Sequence, residues 1–359
     1  MLRRIAEAVD FSFVRPLCRP YYSHTGQPSV DPVVIFKMLL LGYLYGITSE
    51  RRLAEEVRLH LGYRWFLGYD IDLPTPDHSV LSKARARFGN DVFEEFFRQS
   101  IELCRQAGLM EEGPVYVDST LMRANASVDS LAPRAEVARP PLSVTEYLHR
   151  LDPDEATPPD EDPPASGPPS AGGPLRRPNQ ALQSRTDPEA TLVNRPDFGR
   201  HLAYKAHVAV AGRRGQVITA AVATTGTEAD EHLLAEVLWH HRRLSKHAIP
   251  AAVADAKYGT KGSCAPCPFR AQCAPSGIAR SLHRSWALDL VEAARERVAS
   301  PLGKRRLVER KTYIEGTFGL AKELHGLRRT RFRGRRHVQI QLWLTAAAMN
   351  IKRAVRSRV

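Results

Sequence analysis

Apolar residues recur at helical spacing in four stretches of the first 112 residues. Asp31 stands before Pro32 in the manner of a helix cap, and Thr48 or Ser49 stands before the second stretch in the same way. We therefore predict an all-helical first domain over residues 1–112. Its four predicted helices are 32–45, 49–61, 76–88 and 92–107.

After residue 112 the pattern changes to the period of β-strands. Val115–Ser119 is a β-rich run, residues 201–210 and 216–223 alternate as two strands of a hairpin, and a short apolar run ends at Asp255. A helix is predicted over 228–244. The order of elements predicts an α+β protein, in which a mixed sheet with flanking helices forms a second domain over 113–359.

A proline-rich stretch interrupts this second domain. Between about 133 and 185, prolines crowd among Asp, Glu, Ser and Gly with few large apolar residues. Such a composition cannot bury enough apolar surface to order itself. We predict a disordered insertion there, one that does not divide the domain.

Composition narrows the partners and the cellular compartment that we expect for this protein. The formal net charge of +13 indicates a polyanionic partner such as nucleic acid, although an ordinary basic surface is the alternative. The apolar run 33–45 is too short to cross a bilayer, and no secretion signal opens the chain, so no membrane association is expected. Five cysteines in 359 residues favour a reducing cytoplasm over a disulfide scaffold.

Three acidic residues are candidates for one metal site. Asp118 and Asp255 each follow a predicted strand, and Glu315 lies in a helical stretch. Carboxylates on separate elements can hold two divalent ions, and Mg²⁺ prefers such oxygen ligands. The alternative for each acid taken singly is a turn or cap residue.

Basic residues are candidates for DNA binding. Lys83, Arg85 and Arg87 give the third helix a basic side, as in the last helix of a helix-turn-helix arrangement. Lys311 and Lys322 flank Glu315 on one helix face, and a dense basic segment follows, which includes Arg328, Arg329 and Arg331. A solvated basic surface is the alternative for both groups.

Cysteines 264, 267 and 273 have the spacing of metal ligands. A tetrahedral zinc site needs a fourth ligand, for which His283 is the nearest candidate. Free thiols of Cys264, Cys267 and Cys273 in a loop are the alternative.

Several short motifs together resemble DDE transposases of bacterial insertion sequences. They are Val115–Thr120 with Ala124–Ser127, Tyr204–Val208, Ala254–Gly259, and Ile314–Gly319 with Lys322. The N-terminal helices, including Pro76–Ser79, are similar to the InsH-like N-terminal DNA-binding domain. The resemblance implies an RNase H-like catalytic domain in which Asp118, Asp255 and Glu315 bind Mg²⁺ or Mn²⁺.

The resemblance also implies a function and its partners. The expected activity is cleavage of double-stranded DNA at the ends of an insertion sequence and strand transfer into target DNA, by a homodimer associated with the nucleoid. Lys322 matches a lysine that contacts DNA near the cleaved end. The family's tyrosine and arginine before the glutamate fall on Val308 and Lys311, and Asn350 matches an asparagine of a C-terminal packing helix.

One departure from the family leaves two further functions open. Relatives carry a longer segment between the second aspartate and the cysteines, whereas here Cys264 follows Gly259 almost at once. An internal deletion there would leave a DNA-binding remnant without catalysis. An RNase H-like nuclease that hydrolyses DNA without strand transfer is the other alternative.

Overall fold

The computed structural model describes residues 1–23, 25, 29–137, 178–212, 217–255 and 288–357. The helical first part begins with the expected caps: the Asp31 carboxylate accepts from the Val33 N–H at 2.9 Å, and the Ser49 hydroxyl accepts from the Arg52 N–H. Its helices are α1 Leu2–Ala8, α2 Val14–Cys18, α3 Pro32–Leu44, α4 Glu50–Leu59, α5 Leu61–Leu67, α6 Ser79–Arg87 and α7 Asn90–Gln106.

Several helix boundaries differ from the sequence prediction; the helix predicted over 228–244, for example, starts only at Leu234. The second predicted helix ends at Leu59, because the backbone of His60 is extended. A further helix that was not predicted, α5, begins there, and the His60 ring nitrogen accepts from the Gly62 N–H at its start. The third starts three residues later than predicted. The Asp77 carboxylate accepts from the Ser79 N–H at 2.8 Å and so sets the start of α6.

The second part consists of a five-stranded sheet with helices, so the expected mixed helix-and-sheet fold is confirmed. Strand β5 is the longest and pairs with β1 on one side and with β6 and β4 on the other, all antiparallel, while β7 lies beyond β1 and runs parallel to it. The strands are β1 Val115–Arg123, β2 Leu131–Pro133, β3 Leu182–Ser184, β4 Thr191–Arg195, β5 Gly199–Ala211, β6 Val217–Thr225 and β7 Ala252–Ala254. The remaining helices are α8 Arg134–Val137, α9 Pro178–Ala181, α10 Leu234–Ser245, α11 Leu288–Ala299, α12 Pro301–Leu324 and α13 Arg335–Ser357.

The predicted insertion is ordered at both described ends, which corrects its boundaries of 133 and 185. Strand β2 pairs with β3 in a short antiparallel ribbon, and single helical turns, α8 and α9, adjoin it. The middle of the predicted insertion, residues 138–177, lies outside the described residues. The ribbon holds the two ends of this segment together beside the main sheet.

The C-terminal helix α13 joins the two predicted domains through one hydrophobic core, which includes buried residues of α3, α7, β6 and α13. Asn350, at its centre, is fully buried. Its side chain donates to the Ile218 carbonyl and accepts from the Ile218 N–H. In the same way, the Gln339 side chain donates to the Ala221 carbonyl and accepts from the Ala223 N–H. These amides satisfy the outer backbone groups of β6, which would otherwise be buried without partners.

In the part of the chain that the structure describes, no helix is long and apolar enough to cross a membrane.

Candidate functional site

Two of the predicted carboxylates lie beside each other on neighbouring parallel strands. Val117 of β1 is in register with Ala254 of β7, so that Asp118 and Asp255 follow at equivalent positions along the sheet edge. Both residues are partly buried. The prediction that both strands end on these acids holds for β7, which ends at Ala254, but it is wrong for β1, which continues past Asp118 to Arg123.

Helix α12 packs against the face of β1 that carries Asp118. Tyr116 donates a hydrogen bond from its hydroxyl to the Glu309 carboxylate at 2.8 Å, and its ring meets that of Tyr313 edge-on. One residue along the helix, Arg310 donates from Nη1 to the Asp118 carboxylate at 2.6 Å. Arg310 was not among the predicted site residues, because its place opposite Asp118 depends on how α12 packs on the sheet.

Burial and charge act against each other on Asp118. Burial raises the pKa of this carboxyl above its usual range, and the charge of Asp255 raises it further. The Ser119 N–H and the Arg310 guanidinium act in the opposite direction without cancelling the shift. The buried Nε of Arg310 has no hydrogen-bond partner among the described residues, so the guanidinium has donor capacity to spare beside the two acids.

Glu315, the third predicted ligand, lies on the exposed side of α12. Within residues 1–137, 178–255 and 288–357, as far as they are described, no three His, Cys, Asp or Glu side chains converge as a metal site would require. The structure therefore brings two of the three predicted carboxylates together and leaves Glu315 apart from them. Two carboxylates of this kind suit a hard divalent ion, for which they supply part of the ligand set.

A second polar cluster lies behind β1 and was not predicted. Ser119 points away from Asp118, and its hydroxyl donates to the Asp230 carboxylate at 2.8 Å. Lys205 of β5 lies 3.1 Å from the same carboxylate and also donates to the Glu228 carbonyl. His207, two residues along β5, is 3.7 Å from it and shares a hydrogen bond of 3.0 Å with Thr224. We call Ser119, Lys205, His207, Thr224 and Asp230 the rear cluster.

Most of the rear cluster is buried. The side chains of Lys205 and His207 are 4% and 0% exposed. Burial lowers the pKa of His207 to about 4, so that its ring is neutral at pH 7. Burial also acts to raise the pKa of Asp230, but the hydrogen bond from Ser119 and the charge of Lys205 outweigh it and lower that pKa. The cluster is thus a buried ion pair with a neutral imidazole beside it.

Two of the predicted DNA-binding arginines are held by other parts of the protein: Arg85 is buried and Arg331 is half-buried. Arg85 is 4% exposed, forms an ion pair with Glu50 and stacks on the Phe332 ring at 4.0 Å. Arg331 stacks on the buried Tyr43 ring at 4.0 Å and donates to the Ile47 carbonyl. Both guanidinium groups connect the N-terminal helices to the segment that follows α12, which makes them structural residues in this conformation.

The other predicted basic residues lie on the surface. Lys83, Arg87 and Lys311 are exposed, and Lys322, Arg328 and Arg329 line a common pocket of about 720 Å³. Two further arginines that were not predicted, Arg123 and Arg200, line it as well. Burial and the charge of Arg328 lower the pKa of Lys322. We call this concavity at the end of β1 the basic pocket.

The predicted zinc ligands Cys264, Cys267, Cys273 and His283 lie outside the described residues, as does the shortened segment after Gly259. The zinc site and the internal deletion therefore stay predictions.

Two family models match separate parts of the chain. Residues 1–87 match a family described as Transposase domain (DUF772), and residues 241–355 match one described as Transposase DDE domain. The second match contains Asp255 and Glu315, and the first contains Lys83, Arg85 and Arg87. No curated protein and no solved structure matches the chain.

Proposed function

This chain belongs to the DDE transposases of insertion sequences, and from that premise we propose that it cleaves DNA at the ends of its element and joins the freed end to target DNA. The observation that carries the proposal is the parallel pairing of β1 with β7, since it sets Asp118 beside Asp255 at one sheet edge, under Arg310 of α12.

The strand arrangement supports an RNase H-like catalytic domain. Strands β6, β5 and β1 are consecutive antiparallel neighbours, and β7 adds parallel to β1 after the crossover through α10. Ligands bind at such a sheet near the carboxyl ends of its parallel strands. Asp255 follows the carboxyl end of β7, and Asp118 lies beside it within β1.

DDE transposases generally use divalent metal ions. We propose that Asp118 and Asp255 hold Mg²⁺ or Mn²⁺ and that Glu315 completes the site when α12 and the DNA come together. An ion bound there would activate the attacking oxygen and stabilise the leaving oxygen of an in-line displacement. In the cleavage step the oxygen of water forms a bond to phosphorus and the bond from phosphorus to the 3′-oxygen breaks, which leaves a 3′-hydroxyl and a 5′-phosphate.

In the joining step the same 3′-hydroxyl attacks a phosphate of the target strand. A new phosphodiester forms, and the target strand's own 3′-oxygen leaves. The Arg310 guanidinium lies where it offsets the charge of Asp118, and its free donors are suited to a phosphate oxygen beside that carboxylate.

The proposed partners are double-stranded DNA at the element ends and at the target. The proposed contacts are exposed Lys83 and Arg87 of α6, Lys311 of α12 and the basic pocket. Arg85 and Arg331 are not among them, because each stacks on an aromatic ring of the protein. Synapsis of two ends suggests a homodimer acting at the nucleoid in the cytoplasm.

The test is cleavage of labelled DNA that carries the flanking element ends, with Mg²⁺ or Mn²⁺. We expect nicked and joined products from the unaltered protein and neither from Asp118→Ala, Asp255→Ala or Glu315→Ala. Cleavage without joined products would favour a nuclease instead. Cleavage that persists in Asp118→Ala would reject the proposed site.

A DNA-binding remnant is the second candidate. The observation that favours it is the position of Glu315, which is exposed and does not converge with Asp118 and Asp255. Binding of element-end DNA with no cleavage at any concentration of Mg²⁺ or Mn²⁺ would establish the remnant.

A further inference from the structure

The basic pocket combines positive charge with an aromatic ring, which a surface for duplex DNA does not require. Five cationic side chains line it against a single carboxylate, Asp197; the cationic residues are Arg123, Arg200, Lys322, Arg328 and Arg329. Phe198 and His201 line it as well. We propose that this pocket binds one or two unpaired nucleotides of a DNA strand, with the phosphates on the cations and a base on the Phe198 ring. The inference rests on the proposed function in DNA recombination.

The aromatic wall is held in place by the turn between β4 and β5. Gly199 has φ +79°, a conformation that favours glycine, and it closes a three-residue hairpin turn in which Phe198 donates its N–H to the Arg195 carbonyl. One side of the Phe198 ring packs on Leu121, Val193 and Ala203. The ring is therefore half-buried and fixed before any ligand arrives.

On its other side the ring lies under the Arg123 guanidinium, and a base that stacks there takes the place of that cation. The His201 ring meets Phe198 edge-on at 5.6 Å, and the Arg123 guanidinium lies 5.9 Å from the ring centre. Stacking of a base on an aromatic ring contributes about 1–3 kcal/mol and requires that the base be unpaired. Duplex DNA conceals its base faces, so only an unpaired base can use this ring.

The opposite wall is fixed by backbone hydrogen bonds to the end of β1. The Arg123 N–H donates to the Arg328 carbonyl at 3.1 Å, and the Thr330 N–H donates to the Arg123 carbonyl at 2.7 Å. These bonds hold Arg328 and Arg329 beside Arg123 on the rim. A rigid wall loses little conformational entropy when it binds a strand.

Most of the positive charge in the pocket has no counter-charge. Arg328 pairs with Glu323 and Arg329 donates to the Asn125 side chain, but in the described chain no carboxylate forms an ion pair with Arg123, Arg200 or Lys322. Phosphates would supply that counter-charge. The volume of about 720 Å³ lies within the range of sites for small ligands, whereas a duplex is too wide to enter it.

The position of the pocket suits a strand that reaches the proposed cleavage site. Arg123 lies five residues beyond Asp118 on β1, which corresponds to about 17 Å along an extended strand. That length equals the rise of about five stacked nucleotides. Side chains alternate along a strand, so Arg123 lies on the face of β1 that carries Ser119, whereas Lys322 lines the pocket from α12, the helix that carries Arg310. A DNA strand that follows α12 can therefore contact Asp118 and the pocket together.

The experiment compares two DNA probes by fluorescence anisotropy in EDTA, so that no cleavage occurs. One probe is a blunt duplex, and the other is the same duplex with three unpaired nucleotides on one strand, tested on the 3′ and the 5′ strand in turn. We expect one overhang to bind at least roughly 5-fold more tightly than the blunt duplex. Equal affinity for all probes would overturn the proposal.

Variants of Phe198 identify the pocket as the source of the preference. Phe198→Ala and Phe198→Leu should both lose the overhang preference, and the second keeps the apolar packing on Leu121 and Val193 if the first fails to fold. Trp239→Ala, an exposed aromatic ring on α10, is the matched control and should keep the preference. A preference that survives in Phe198→Leu would overturn the proposal.

A second pair of variants tests the phosphate contacts. Arg200→Ala should weaken binding, and the slope of log K against the logarithm of the salt concentration should fall by about one in magnitude. Arg195→Ala removes an exposed arginine just outside the pocket and should leave the salt dependence unchanged. Equal effects of the two variants would contradict the assignment of Arg200 to the pocket.

These binding assays need no catalysis, so they separate the two proposals. An overhang preference without cleavage refutes the proposed function alone, and cleavage without the preference refutes this inference alone.

Discussion

Asp118 and Ser119 are neighbours on β1, and their side chains enter two different charged environments. In front of the sheet, Asp118 is 24% exposed and its partner Arg310 is 16% exposed. Behind it, Ser119 contacts Asp230, whose ion pair with Lys205 is almost wholly buried. A pair that solvent and ligands can reach is able to exchange partners, whereas a sealed pair can only hold the fold together. The difference assigns chemistry to the front of β1 and stability to its rear.

The largest effect is expected from breaking the rear ion pair. Lys205→Met leaves the buried Asp230 carboxylate without its cation, and removal of one partner of such a pair costs about 3–5 kcal/mol. The free energy of unfolding, measured with urea and circular dichroism, should fall by that amount. Arg105→Met, which breaks an exposed pair with Glu102 on α7, is the control and should leave it unchanged. Equal losses in the two variants would contradict the assignment of the rear cluster.

The next effect is a loss of stability in acid through His207. Its pKa of about 4 lies below the unfolded value of about 6.5. The folded state therefore binds fewer protons, and the stabilisation by the neutral ring is complete above about pH 6.5 and is lost as the pH falls from 6.5 toward 4. The full loss amounts to roughly 3 kcal/mol.

His207→Gln should reduce this dependence, measured as urea midpoints between pH 4.5 and 7.5. The slope should fall but not to zero, because burial also lowers the pKa of His241 to about 4 and lowers the pKa values of His240 and His325. An unchanged slope would mean that His207 does not titrate with folding.

A smaller effect is expected from the front pair. Arg310→Gln removes the guanidinium from Asp118, but the carboxylate is partly exposed, so unfolding should change by no more than about 1 kcal/mol. Because a divalent ion no longer competes with this cation, Mn²⁺ should bind about 5-fold more tightly in calorimetric titrations. Lys311→Gln, the adjacent exposed residue, is the control. Weaker Mn²⁺ binding in Arg310→Gln would contradict a metal site at Asp118.

The smallest effect concerns the exposed face of α12 beside Glu315. A Cβ added at Gly316 would meet no atom within 4 Å, so Gly316→Ala should raise the free energy of unfolding by about 0.5–1 kcal/mol. Gly226→Ala is the opposite case, because its Cβ would lie 2.8 Å from the Ala203 carbonyl oxygen, and it should destabilise the protein. Destabilisation by Gly316→Ala would show that this face of α12 is packed against another part of the chain.

The front of β1 was largely predictable from sequence, and its rear was not. Asp118 and Asp255 each follow a short apolar run, a local pattern that reveals the two strands, although β1 continues for five residues beyond Asp118. Arg310 and the exposed position of Glu315 depend on the rotation of α12, which no local pattern specifies. The rear cluster had one usable signal, since Lys205 and His207 alternate on a strand that is otherwise apolar. Asp230 joins them only because the chain turns back behind the sheet after β6.

Local signals also explain which elements of the fold were missed. Strand β4 lies between Pro188 and Pro196, and these turn-forming residues obscured a five-residue strand. Arg85 and Arg331 were assigned to DNA by their charge, yet each stacks on an aromatic ring contributed by a distant segment. Sequence position alone cannot distinguish an arginine that stacks inside the protein from one that faces a phosphate.

The most direct test of the front site compares two neighbouring residues in one assay. Asp118→Asn and Ser119→Ala are nearly isosteric changes on opposite faces of β1, and cleavage of element-end DNA would be measured for both with saturating Mn²⁺. We expect Asp118→Asn to lose cleavage by at least about 100-fold and Ser119→Ala to stay within a few-fold of the unaltered protein. Cleavage by Asp118→Asn at the unaltered rate would contradict a catalytic site at the front of β1.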